Sequence, residues 1–226
     1  MIVTISQPRY LPWMGYMKRI ATSDLFIYLD NVQYTPRDWE NRNKIKTDQG
    51  WAWLSVPVKA RYRARIPEVT VDNEQAWQEK QWKTIQTYYN AAPFFSEYAP
   101  RLETIYQQPW EALTDLNLAL TDALCECLGI QGNFARASEL NVEGRGSELL
   151  LNLCKAVKAT AYVSGPFGRD YLDAAAFEEA GIAIQYDDYQ HPVYEQLHGE
   201  FQPSMAVIDL LFNCGPRSKE ILLGES

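Results

Sequence analysis

The chain's two histidines both lie in D-D-Y-Q-H-P-V-Y-E-Q-L-H-G at 187–199. Of the two, His191 is the candidate general base, because a neutral imidazole accepts a proton near pH 7 and Asp187 or Asp188 can orient it. Asp188 and Asp30 complete the catalytic set. The competing reading makes His191 a structural loop histidine. S-G-P-F-G-R-D-Y at 164–171 supplies Gly165, Gly168, Arg169 and Asp170 to a loop beyond a strand, where they can bind an anion or simply close a turn through an Arg169–Asp170 pair. G-R-G-S at 144–147 precedes a helix and combines flexible backbone donors with a guanidinium, the ingredients of an anion site. No Cys/His cluster has zinc spacing, so no metal is expected.

Charge gives a second group. The net charge is −8, yet between Arg37 and Arg65 eight basic residues face three acidic ones, a local +5 that leaves −13 elsewhere. An acidic body that concentrates its cations in one segment suits an anionic partner: a nucleotide, a phosphate-linked sugar or, on charge alone, an RNA backbone. Arg37, Asn41, Arg42 and Lys44 are the binding candidates there. The alternative is a solvated hairpin with dispersed charge.

The elements that must position these residues read as α/β. Ile2-Val3-Thr4-Ile5 and Leu25-Phe26-Ile27-Tyr28-Leu29 are β-branched or aromatic strands, and 13–22 between them has room for a helix of about three turns. Parallel strands so joined release Gln7 to Tyr10 and Asp30, Asn31 and Gln33 at one sheet edge, where open α/β sheets take their ligands. In Q-P-R-Y-L-P-W-M-G-Y, Pro8 ends the strand, Pro12 suits the first helical turn and Gly15 allows close approach. Tyr10, Trp13 and Tyr16 then either crowd the mouth of a cleft or form plain core.

Residues 41–58 read as an antiparallel hairpin turning at Asp48-Gln49-Gly50, with Trp51 and Trp53 on one face. Three helices fill 74–129, the last capped by Gly129. Strands near 134–137, 161–164 and 182–186 then alternate with helices at 148–157 and 172–180, and a final helix covers 205–212. The expectation is one α/β domain over 1–226, a mainly parallel sheet flanked by helices, with a hairpin and a helical insertion at about 74–129.

No P-loop, G-x-S-x-G or G-x-G-x-x-G follows the first strand, which removes the commonest enzyme classes and names no cofactor. A basic leader and a run of about 20 apolar residues are both missing, so the chain reads as soluble and cytoplasmic. Its four cysteines fall in apolar helical runs and read as buried free thiols.

Q-P-R-Y-L-P-W-M-G-Y, L-D-N-V-Q-Y-T-P-R-D-W-E-N-R-N-K-I-K, G-W-A-W-L-S-V-P-V, Y-V-S-G-P-F-G-R-D-Y-L and the closing Y-Q-H-P-V-Y…L-H-G-E-F-Q-P…I-D-L-L-F-N-C-G-P together resemble the WbqC-like protein family. The resemblance implies a role in O-antigen-like or other bacterial surface-polysaccharide biosynthesis, as a transferase moving an aminoacyl (glycine) group onto a sugar. The rival is a non-catalytic protein that binds a nucleotide-linked sugar. In the family a histidine often stands where this chain has Gln81. A fainter likeness, strand to L-P-W-M-G-Y to helix, is to nucleotidyltransferases of the HIGH superfamily, of whose motif only Gly15 matches.

Overall fold

The computed structural model describes residues 1–225. In chain order its elements are β1 (Ile2–Ser6), α1 (Met14–Thr22), β2 (Leu25–Tyr28), β3 (Arg42–Thr47), β4 (Gly50–Ser55), β5 (Val58–Lys59), β6 (Thr70–Val71), α2 (Trp77–Tyr89), α3 (Phe95–Tyr106), α4 (Leu113–Leu128), β7 (Phe134–Arg136), α5 (Gly146–Ala156), β8 (Ala161–Ser164), α6 (Ala174–Glu179), β9 (Ala183–Tyr186), α7 (Ile208–Cys214) and α8 (Ser218–Leu223). The chain divides into two interleaved compact units, with α1 beginning in one and ending in the other.

The first unit comprises 1–7, 19–31 and 131–190. It holds a five-stranded sheet in the order β7-β2-β1-β8-β9, with every neighbouring pair parallel. Val3, Ile5, Phe26, Ile27, Ala161 and Tyr162 are buried, as the strands of a parallel sheet covered on both faces should be. Edge strand β9 instead alternates exposed and half-buried residues. The sheet's carboxyl edge carries the residues after β1, β2, β8 and β9, as the sequence implied. Among them Asp30 is fully buried.

The second unit comprises 8–18, 32–130 and 191–226. In the β3–β4 hairpin, Arg42 pairs with Ser55, Lys44 with Trp53, and Lys46 with Trp51. The alternate residues Asn43, Ile45 and Leu54 are buried, so the period-2 pattern sets an apolar face inward and a Trp–cation face the other way. Helix α4 ends at Gly129, whose φ of 63° is the left-handed conformation glycine adopts without strain. A buried carboxylate joins α7 to α2: Tyr89 and Tyr194 donate to Asp209 at 2.7 and 2.9 Å, and Tyr89 in turn accepts the Lys46 amide at 2.9 Å.

Several boundaries differ from the sequence reading. Helix α4 starts only at Leu113, because Trp110 and Glu111 are used by the loop before it: Glu111 O accepts from Val71 and Trp110 O from Asn73. Between the hairpin and α2 the chain forms a single 3-10 turn at Ile66–Glu68 followed by the two-residue β6. The final helix is displaced to Ile208–Cys214 and followed by α8, which the sequence reading did not separate.

Candidate functional site

The segment leading into the hairpin contains the most unusual titratable group of the molecule. Glu40 is fully buried, and its carboxylate oxygens have no hydrogen-bond partner beyond the residue's own backbone. Burial is the main cause of a pKa pushed up to about 7; Arg9 and a hydrogen bond with the residue's own backbone pull it down, and Asp38 adds to the rise. Buried carboxylates are normally paired and hydrogen-bonded, because the charged form loses its hydration. Glu40 is held in place by its neighbours rather than by its side chain. Asn117 on α4 donates to its carbonyl at 2.8 Å, the Trp39 amide donates to Asp38 Oδ1 at 2.8 Å, and Asn41 and Val56 exchange two bonds at 2.7 and 3.0 Å.

Around Glu40 the unsatisfied polar atoms accumulate. Arg9 Nη1, Asn41 Oδ1, Arg42 Nε and Asn117 Oδ1 are all buried without a hydrogen bond, although Arg9 Nη1 lies 3.6 Å from Asp38. Tyr34 shares this field: its pKa rises to about 12 through burial first and then the Glu40 charge, opposed by Arg42. Native proteins leave few buried polar atoms unpaired. Such a concentration, with a carboxylate poised near neutrality, has the character of a ligand or proton-transfer site.

The Q-P-R-Y-L-P-W-M-G-Y stretch is what brings Arg9 here. The Tyr10 amide donates to Trp39 O at 3.0 Å and Asn43 Nδ2 donates to Leu11 O at 2.5 Å. Leu11 is bound in a left-handed conformation, φ 42°, fully buried and followed by Pro12. A bulky residue held there stores about 1–3 kcal/mol of strain, a feature that clusters at functional sites. Tyr10 and Tyr16 are core residues. Tyr10 meets the Tyr106 hydroxyl and donates to Gln81 Oε1 at 2.5 Å, while Gln81 Nε2 donates to Ser55 O at 2.7 Å. Gln81 therefore fills its position as a buried two-way bridge, on the floor of an open groove of 710 Å³ that Trp53, Ser55, Trp77, Lys80 and Lys83 also line. A Cβ on Gly15 would fall 2.4 Å from the Trp13 ring, so its missing side chain is what lets that indole lie against the helix.

The remaining sequence candidates are placed as follows. Asp30 accepts from Arg136 Nε and Ser138 Oγ at 2.8 and 2.7 Å and from the Ser138 amide at 2.9 Å, a clamp between β2 and the segment after β7. Asn31 stands just beyond it with its Oδ1 buried and unpaired. Asp188 receives both terminal nitrogens of Arg169 at 2.7 Å, and this hydrogen bonding lowers its pKa; the Arg169 guanidinium lies 4.4 Å over Tyr186. Arg169 thus pairs with Asp188 rather than with Asp170. Gly168 packs against Ser164, and Gly165 approaches Arg19. In the second unit His191 stacks with Tyr194 and packs edge-on to Phe201, and its Nδ1 donates to Pro192 O at 3.0 Å. Burial lowers its pKa. Gln33 bridges to Arg65, and Arg37 takes a left-handed φ of 61° in an exposed loop.

Residues 7–221 match the WbqC-like protein family. The chain belongs to that family. The uncharacterized protein Rv1507c of Mycobacterium tuberculosis (strain ATCC 25618 / H37Rv) is 41% identical over 224 residues, 97% of this chain and 96% of that protein. No solved structure matches the chain. Among the described residues no helix is long and apolar enough to cross a membrane, and no three His, Cys, Asp or Glu side chains are grouped to hold a metal.

The sequence reading missed Glu40, Tyr34 and Asn117. Glu40 entered it only as one of three acids subtracted from a basic segment. The available signal was its context, W-E-N-R-N, in which a lone acid sits among amides and an arginine just before a strand.

Proposed function

We propose that this WbqC-like protein is a group transferase in surface-polysaccharide biosynthesis, acting on an anionic, phosphate-bearing small molecule with Glu40 as general base. The single observation that carries the reading is Glu40 itself: a fully buried carboxylate with no side-chain hydrogen-bond partner and with its pKa raised to about 7 by burial, against the pull of Arg9. A base with that pKa is half ionised at neutral pH and takes protons efficiently there. Family membership supports the pathway assignment. In the aminoacyl form of the reaction, a sugar hydroxyl or amine attacks the carbonyl carbon of an activated glycine, Glu40 takes the proton, and the activating group leaves with the bonding electrons. Arg9 and Arg42 stabilise the negative charge of the donor.

The test is turnover of an activated aminoacyl donor with amino-sugar acceptors, followed by product mass. The wild-type kcat/KM should rise with pH through an apparent pKa near 7, and Glu40→Gln should lower it by about 10²–10⁴, the usual contribution of a general base. Ligand binding without product would favour the non-catalytic nucleotide-sugar-binding reading. Pyrophosphate release from a nucleoside triphosphate would favour the nucleotidyltransferase one.

A further inference from the structure

The outward face of the β3–β4 hairpin is a row of tryptophans overlaid by cations. Trp51 and Trp53 are exposed at 43% and 36%, their ring centroids 5.5 Å apart, and Trp39 continues the row 5.6 Å from Trp53. The Arg42 guanidinium lies 4.2 Å over Trp53, and the Lys44 ammonium lies 4.2 Å over Trp51 and 5.3 Å from Trp53. Two other cations of the basic segment are neutralised: Lys59 by Asp72 and Glu74, and Arg61 by Glu68. Neither Arg42 nor Lys44 has a carboxylate partner among the described residues.

The distinction is chemical. A cation on an aromatic face is held by the ring quadrupole and spends no N–H donor on it, whereas a cation in a salt bridge spends its donors on the carboxylate. Arg42 and Lys44 are therefore held in position with donors available, in a chain whose net charge is −8. The rings add flat apolar area that an isolated anion cannot use.

We propose that this face binds a phosphate carried on a ring, with Arg42 and Lys44 contacting the phosphate and Trp51 and Trp53 contacting the ring. This deepens the transferase reading, on which it rests for its biological meaning, by assigning the donor subsite. Arg42 follows Glu40 by two residues, at most about 7 Å of extended chain, so the subsite lies on the segment that also carries the proposed base. A sugar phosphate and a nucleoside phosphate share this chemistry, and the experiment separates them.

Calorimetric titration of the full chain with glucose 1-phosphate, uridine monophosphate, inorganic phosphate and glucose reads the site without turnover. One or both ring phosphates should bind at least about tenfold more tightly than inorganic phosphate or glucose. Lys44→Gln should weaken that binding about tenfold, the loss of one charged hydrogen bond, with a reduced salt dependence, and Trp53→Leu should lower ring-phosphate affinity toward that of inorganic phosphate. Tighter binding of glucose 1-phosphate assigns a sugar and of uridine monophosphate a nucleoside; both uphold the proposal. Failure of both ring phosphates to bind, equal affinity for inorganic phosphate, unchanged affinity in folded Lys44→Gln, or far tighter binding of a single-stranded oligonucleotide than of uridine monophosphate overturns it. If Glu40→Gln still abolishes turnover while Lys44→Gln binds normally, the transferase reading stands and the subsite falls. Loss of binding in Lys44→Gln without any turnover by the wild type gives the reverse.

Discussion

Glu40→Gln should make the protein more stable at neutral and alkaline pH. The substitution keeps shape and volume but removes the ionisation. In the folded chain the carboxyl titrates at about 7 rather than near its ordinary 4.5, because burial penalises the charged form. The folded state consequently holds its proton more tightly than the unfolded one, so the group's contribution is complete below about pH 4.5 and is lost as pH rises through about 7. With 1.36 kcal/mol for each tenfold change in proton affinity, the penalty is about 1.4 kcal/mol at about pH 5.5 and about 3 kcal/mol at about pH 8.5. The absolute difference between variant and wild type also contains the effect of exchanging a carboxyl for an amide. The pH dependence does not, and it should favour the variant by about 2 kcal/mol more at about pH 8.5 than at about pH 5.5. Urea titrations of both proteins, run above the isoelectric point of about 4.9, read this directly from the shift of midpoint at constant m. A stability difference that does not change with pH, or one that turns against the variant as pH rises, would refute the assignment of the raised pKa to Glu40.

Asp30→Ala removes the acceptor of Arg136 Nε and of both Ser138 donors; discounted for the partial exposure of Arg136, the loss should be about 2–3 kcal/mol in denaturant unfolding. Gly168→Ala places a Cβ 2.0 Å from Ser164 Oγ and 3.0 Å from Ser164 Cβ, and overpacking of this kind should cost about 1–3 kcal/mol and lower the melting temperature. Tyr10→Phe removes the donor to Gln81 and should cost about 1–3 kcal/mol while leaving calorimetric affinity for ring phosphates at the hairpin unchanged.

The sheet was legible because its signals are local and mutually consistent. Runs such as I-V-T-I and A-Y-V-S are short, β-branched or aromatic, and bounded by Pro, Gly or polar residues, so period and punctuation agree. The hairpin was legible for a related reason, since Trp51 and Trp53 alternate with Ala52 and Leu54 and a one-residue slip of either strand would turn its buried residue, Ile45 or Leu54, outward. Helix starts were less legible. None of the helices α2, α3, α4 and α5 has a side-chain N-cap bond, so the Ser/Asp signal that normally marks a first turn is missing, and α4 begins where a neighbouring loop stops using its backbone.

The site was harder to read because its chemistry depends on what is absent around a residue. A sequence lists Glu40 as a negative charge, and a charge count cancels it against Arg42. Only three-dimensional burial removes the water that would keep that carboxyl near 4.5. The same argument explains why Asp188, identical in kind to a catalytic carboxylate on paper, is the poorer base: Arg169 holds both its oxygens and lowers its pKa. It also makes the Glu40 assignment doubly constrained. The ionisation that creates the base is the one that destabilises the fold, so the wild type's stability should fall between about 4.5 and about 7 and level off above about 7, the same pH at which log kcat/KM stops rising. Two assays with unrelated readouts must therefore report one pKa, and the stability break at that pH should vanish in Glu40→Gln, which a base on another residue would not require.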